Sequence, residues 1–196
     1  MDAPAAADTV WRTFIAIEVP VALRGPLARL QDQIRDTGAH VSCPDPGNPH
    51  LTLVFLGATF VAQVPHLVRA MEEAVGGLRP FRLEIAGVGT FGRPGVPRVV
   101  WAGVSLPVGL MALHERLAAV VRALGFPVDT RPFHPHLTLA RVKSTRHAAA
   151  LTSWVASLLY SRYGEFEVDR IHLYRSHLDQ PRPTYTLLHT APLKGT

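Results

Sequence analysis

The sequence predicts an α+β fold: two duplicated strand-helix-strand-helix-strand units in a bilobal domain, with two mostly antiparallel sheets around a pseudo-two-fold central cleft. Three observations predict it. First, Pro49-His50-Leu51-Thr52-Leu53 recurs as Pro135-His136-Leu137-Thr138-Leu139, an offset of 86 positions. A five-residue identity arises by chance on the order of one per cent of the time in a chain this long. Second, the flanks repeat at nearly the same spacing. Phe14–Val19 (FIAIEV) and Val99–Leu106 (VVWAGVSL) are apolar runs, each followed by a proline and a helical pattern. Third, Phe81–Val88 (FRLEIAGV) matches Phe166–Leu173 (FEVDRIHL) further on.

Each element has a local reason. The first helix carries Val21, Leu23, Leu27, Leu30 and Ile34 near the 3.6 period. Its partner carries Leu110, Leu113, Leu117, Val120, Val121 and Leu124, and stops at Gly125. Leu51–Leu56 and Leu137–Val142 read as short buried strands. Further helices are expected over Val64–Val75 and His147–Tyr160, and a last strand over Thr184–His189. Ala58–Gln63 and Thr90–Pro97 read as loops, and Gly92–Pro97 as the connection between lobes. The 196 residues therefore form one expected domain, with lobes at about 11–92 and 97–191.

Composition bounds the function. Apolar residues make up 47% and charged residues 18%, which excludes a disordered chain. No apolar run approaches the roughly 20 residues of a membrane helix. Met1–Val10 has Asp2 and Asp8 and no basic stretch, so no secretory leader is expected. The single cysteine, Cys43, forms no internal disulfide and no cysteine-based zinc site, and a reducing cytoplasm is the expected compartment. The formal net charge is +5, almost all of the cations being arginine, which suits a phosphate-bearing partner.

The repeated motif carries the chemistry. Residues two apart on a strand face one side, so His50 points with Thr52 and His136 with Thr138. A pseudo-two-fold axis brings both pairs to one cleft. Imidazole titrates near 6.5, so one ring can take a proton while the other gives one. The threonine hydroxyls can donate hydrogen bonds to phosphoryl oxygens. Phe55 and Arg141 follow the two histidines by five residues, and offer a face for base stacking and a fork for phosphate. Residues five apart face opposite sides of a regular strand, so both assignments require a twist or bulge. A single histidine in an apolar strand reads as core; two identical placements reverse that reading.

The remaining histidines carry less. His40, His66, His114, His147 and His177 fall in expected loops or exposed helix faces, and His172 and His189 in strands as core. His134 precedes the second motif by two and shares its face only if Pro135 allows it. No third histidine or carboxylate stands at ligand spacing with His50 and His136, so no metal is expected. A GxSxG elbow, a GxxxxGK[ST] loop and HExxH are all missing from the sequence.

HLTLVFLG (His50–Gly57) and RPFHPHLTLAR (Arg131–Arg141) resemble the RNA 2′,3′-cyclic phosphodiesterases of the two-histidine phosphoesterase superfamily, historically called 2′-5′ RNA ligases. Phe14–Pro20 and Leu173-Tyr174-Arg175-Ser176 are similar to the same family, so the resemblance runs from about Arg12 to His189. It implies hydrolysis of a terminal 2′,3′-cyclic phosphate on RNA or a nucleotide to a 2′-phosphate, without metal or organic cofactor. It carries catalysis to His50, Thr52, His136 and Thr138, and substrate binding to Phe55 and Arg141. Pro49 departs from it, a larger apolar residue being more usual there. The expected scheme has His136 as base and His50 as acid. Ligation or cleavage of 2′-5′ bonds, and a non-catalytic RNA- or nucleotide-binding module, are the alternatives. A monomer working on RNA away from membranes is expected.

Overall fold

In the computed structural model, residues 9–178 and 183–195 are described. The elements alternate as the repeat requires. The first half gives β1 (Val10–Glu18), α1 (Val21–Asp36), β2 (Val41–Ser42), β3 (His50–Phe60), α2 (Val64–Val75) and β4 (Phe81–Arg93). The second gives β5 (Val96–Val104), α3 (Val108–Ala123), β6 (His136–Val142), α4 (Ala148–Ser157), β7 (Arg162–Val168), β8 (Arg170–His177) and β9 (Thr184–Pro192). α1 and α3 both start after a proline, Pro20 and Pro107, in extended backbone. α1 turns Leu27, Leu30 and Ile34 inward. Each such side chain, fully buried, is worth about 1.5–3 kcal/mol.

One sheet has the order β3-β1-β8-β9 and the other β2-β6-β5-β4-β7, with every pairing antiparallel. The repeat offset matches β3, β1 and β8 of the first sheet with β6, β5 and β4 of the second. The halves therefore exchange a strand: β4 from the first pairs with β5, and β8 from the second pairs with β1. The helices cross over as well. α1 packs on β6 and β7, while α3 packs on β3. A single apolar cluster, from Ile15 and Leu51 to Leu137 and Leu173, runs through both sheets.

Three expectations are corrected. The expected loop over Ala58–Gln63 is strand as far as Phe60, followed by a short 3-10 turn over Val61–Gln63. Buried Thr59 explains the extension, because its hydroxyl lies 2.7 Å from that of Thr13 on β1. The expected loop over Thr90–Pro97 is a β4–β5 hairpin inside one sheet, with Arg93 opposite Val96. Pro94-Gly95, with Gly95 at φ 74°, makes its two-residue turn. The apparent single strand Phe166–Leu173 is two. Phe166 pairs with Leu83 in one sheet and Leu173 with Ile15 in the other, with the break at Asp169.

Candidate active site

A bulge in each motif strand sets the site. Opposite an unbroken β1, Leu51 and Thr52 pair with Ile17 and Ala16, Val54 and Phe55 with Ile15 and Phe14, and Leu53 is skipped. Opposite β5, Leu139 is skipped in the same way. An extra residue reverses the alternation of faces. Leu53 and Val54 are thus both buried, as are Leu139 and Ala140. His50, Thr52 and Phe55 fall on one face of β3, and His136, Thr138 and Arg141 on one face of β6. The five-residue spacing is reconciled by equivalent bulges, and β3 and β6 themselves approach within 8 Å, Cα to Cα.

The two imidazoles are held alike. His50 Nδ1 lies 3.0 Å from the Asn48 carbonyl and His136 Nδ1 lies 2.7 Å from that of His134. A carbonyl only accepts, so each Nδ1 donates its proton and each Nε2 is left with the lone pair when the ring is neutral. Burial pushes both rings below the usual 6.5, more than the carbonyl bonds raise them, and His134 and the Arg141 guanidinium push His136 further down. Burial thus favours the neutral form of both rings. Neither the Thr52 nor the Thr138 hydroxyl hydrogen-bonds to protein among the described residues, so both are available to a ligand.

Aromatic rings floor each half. His50 packs on Phe14 (ring centroids 5.0 Å apart) and edge-on to Tyr185 (5.1 Å), with Tyr174 stacked on Phe14 at 5.4 Å. With Glu18, Asn48 and Pro49 these rings line a pocket of about 50 Å³. Pro49 opens this segment without an N–H to satisfy, while its carbonyl accepts from Val19 N at 3.1 Å. His136 meets Phe91 edge-on at 4.8 Å, and His134 packs on Trp101 at 4.7 Å. Trp101 stands opposite Thr138 as Ala16 stands opposite Thr52, and its indole lies over Gly89. A Cβ there would stand 2.3 Å from indole Cζ2, so only glycine fits.

Arg141 is exposed, and no carboxylate pairs with it among the described residues. Its charge acts on His136 and also on the Tyr185 phenol beside His50, so it addresses both halves. Phe55 is 47% exposed, with the Arg12 guanidinium over its ring. Sequence reading did not select Phe14, Phe91, Trp101, Tyr174 or Tyr185. Their placement depends on cross-strand register, with Phe91 on exchanged β4 and Tyr174 on exchanged β8, which no local pattern marks.

The other histidines are dispersed. His40, His66 and His147 are exposed as expected, and His177 bonds Thr186 at 2.9 Å. His114, expected on an exposed helix face, is instead half-buried and stacked on Phe133 at 3.9 Å. His172 is buried and bonded to Thr190, whereas His189 is half-buried beside Glu72. No group of three or more potential metal ligands stands together among the described residues.

Two exchanged sheets presenting paired His-x-Thr faces define the two-histidine class of phosphoesterases. Residues 32–180 match the model of the 2′-5′ RNA ligase superfamily. The chain belongs to that superfamily. It is 32% identical to an RNA 2′,3′-cyclic phosphodiesterase of Methanothermobacter thermautotrophicus, over 89% of this chain and 95% of the relative. It is 36% identical to one from Aeropyrum pernix, over 84% and 93%. Among solved structures, TT0787 of Thermus thermophilus matches with a TM-score of 0.79 and 30% identity, over 94% of this chain and 98% of the other. LigT of E. coli complexed with 3′-AMP matches at 0.77 and 26%, over 94% and 99%. No helix among the described residues is long and apolar enough to cross a membrane.

Proposed function

We propose that this protein hydrolyses a terminal 2′,3′-cyclic phosphate on RNA or a nucleotide to a 2′-phosphomonoester, by acid–base catalysis between His136 and His50. The observation that carries the reading is the matched pair of imidazoles, each with Nδ1 tied to the carbonyl two residues back and each sharing its strand face with a threonine. The names of the relatives support it, and the 3′-AMP complex of LigT supports a site that takes a nucleotide. In-line displacement needs one proton acceptor and one proton donor on opposite sides of phosphorus. His136 Nε2 takes a proton from water as its oxygen bonds to phosphorus. The bond from phosphorus to O3′ breaks, and protonated His50 gives its Nε2 proton to O3′. Thr52 and Thr138 hold the non-bridging oxygens, where developing charge is largest. Phe55 and Arg141 bind the base and phosphate.

The test is incubation with 2′,3′-cyclic AMP in excess EDTA, with the product identified by chromatography. The expected product is 2′-AMP. His50→Ala and His136→Ala should each lower the rate by about 10²–10⁴, the usual worth of one general acid or base. A 3′-AMP product, or full activity in either variant, overturns the scheme. RNA joined through 2′-5′ bonds would favour ligation, and tight RNA binding without turnover a binding module. The single cysteine and the self-contained repeat support a cytoplasmic monomer, which sedimentation at working concentration checks.

A further inference from the structure

Arg12 stands outside the two motif pairs but on the same face. It alternates on β1 with Phe14, Ala16 and Glu18, the partners of Phe55, Thr52 and His50. Its guanidinium carbon lies 4.4 Å from the centroid of the Phe55 ring. No carboxylate pairs with it among the described residues. A charged plane fixed on an exposed ring suits a phosphate and a base together.

Distance decides which phosphate. Thr52 lies opposite Ala16, four residues from Arg12, which is about 13 Å along the strand at roughly 3.3 Å per residue. That exceeds the span of an arginine side chain, so Arg12 does not hold the phosphate between the histidines. It stands one step beyond. Its charge nevertheless reaches the pocket, because Arg12 and Arg141 both lower the Tyr185 phenol against the burial that raises it.

We propose that Arg12, laid on Phe55, forms a subsite for the nucleotide preceding the cyclic end, so that this protein prefers an oligoribonucleotide to a cyclic mononucleotide. The substrate class refines the function proposed above and rests on it. Arg12 holds the penultimate phosphate, and its neighbouring base extends the stack.

The experiment compares kcat/KM for 2′,3′-cyclic AMP and for a short oligoribonucleotide ending in a 2′,3′-cyclic phosphate, in the unmodified protein, R12Q and R12K. Binding of a labelled oligoribonucleotide ending in a 2′-phosphate is followed at several salt concentrations. The unmodified protein should prefer the oligoribonucleotide. The ratio of the two kcat/KM values should fall about tenfold in R12Q, as one charge-assisted contact predicts. The salt slope of binding should shrink by about 0.7, the share of one single-strand phosphate, and R12K should keep that slope. An unchanged ratio, or a parallel fall on both substrates, overturns the subsite. If the unmodified protein turns over neither substrate, the hydrolytic reading fails. Binding then judges the subsite alone: about tenfold weakening in R12Q upholds it, and unchanged binding overturns it.

Discussion

At the scale of single residues, the two histidines are not interchangeable with ordinary surface imidazoles. Burial favours the neutral form of each, and Arg141 adds to this at His136. Catalysis needs one neutral and one protonated ring at once. With both rings titrating below 6.5, the free protein holds that combination most often on the acid side of neutrality. We expect kcat/KM for a cyclic nucleotide to follow a bell with its maximum below about pH 6.5. Above the maximum it should fall as the acid loses its proton, and below it as the base gains one. The bound phosphodiester anion stabilises the protonated acid, so the alkaline limb of kcat should lie higher than that of kcat/KM. A pH series from 5 to 8 checks both limbs, and a flat profile, or a rise to a plateau at pH 8, sinks the two-histidine scheme. The carbonyl bonds that set each tautomer had no trace in the sequence, since they depend on how Asn48 and His134 turn into their strands.

At the scale of elements, the strands were legible and their partners were not. The pentapeptide repeat marked β3 and β6, and proline followed by apolar periodicity marked α1 and α3. The five-residue spacing of Phe55 and Arg141 already demanded a bulge, which Leu53 and Leu139 supply. What misled was glycine. Gly92 and Gly95 looked like loop, yet Gly92 lies at the end of β4 and only Gly95 is in the turn, while Gly89, just before the expected loop, lies within the strand. Gly89 is there because the Trp101 indole crosses it, a contact between β4 and β5 that no local pattern encodes. Gly89→Ala should therefore push the indole off β4 and away from His134. Overpacking of this kind costs about 1–3 kcal/mol, and a chain of this size loses roughly 2–4 °C of Tm per kcal/mol. A melting curve reads the first effect and kcat the second, since Trp101 lies opposite Thr138. Unchanged Tm and kcat would mean that the indole does not need this position.

At the scale of the whole molecule, the duplication is interlocked, and this decides how the chain holds together. β4 leaves its own half to pair with β5 and β7, and β8 leaves its half to pair with β1. α1 covers strands of the second half and α3 a strand of the first. Alone, the first half would leave β4 unpaired and the second would leave β7 without β4, and each would leave a helix without the sheet it covers, exposing both apolar surface and strand edges. The same exchange brings the two motif strands together, so folding and site assembly are one event. The Pro94-Gly95 turn is exposed and crosses no core contact, which makes it the place to cut. Fragments 1–93 and 96–196 should each lack a cooperative melting transition when alone. Mixed in equal amounts they should associate and recover hydrolysis of 2′,3′-cyclic AMP. Joining two separate chains costs about 4–15 kcal/mol of translational and rotational freedom. The β4–β5 and β1–β8 ladders and the core they seal are what must offset it. Circular dichroism of each fragment and of the mixture reads the outcome. A fragment that folds alone with a sharp transition would show the halves to be independent lobes, and the exchanged strands would then not be what binds them.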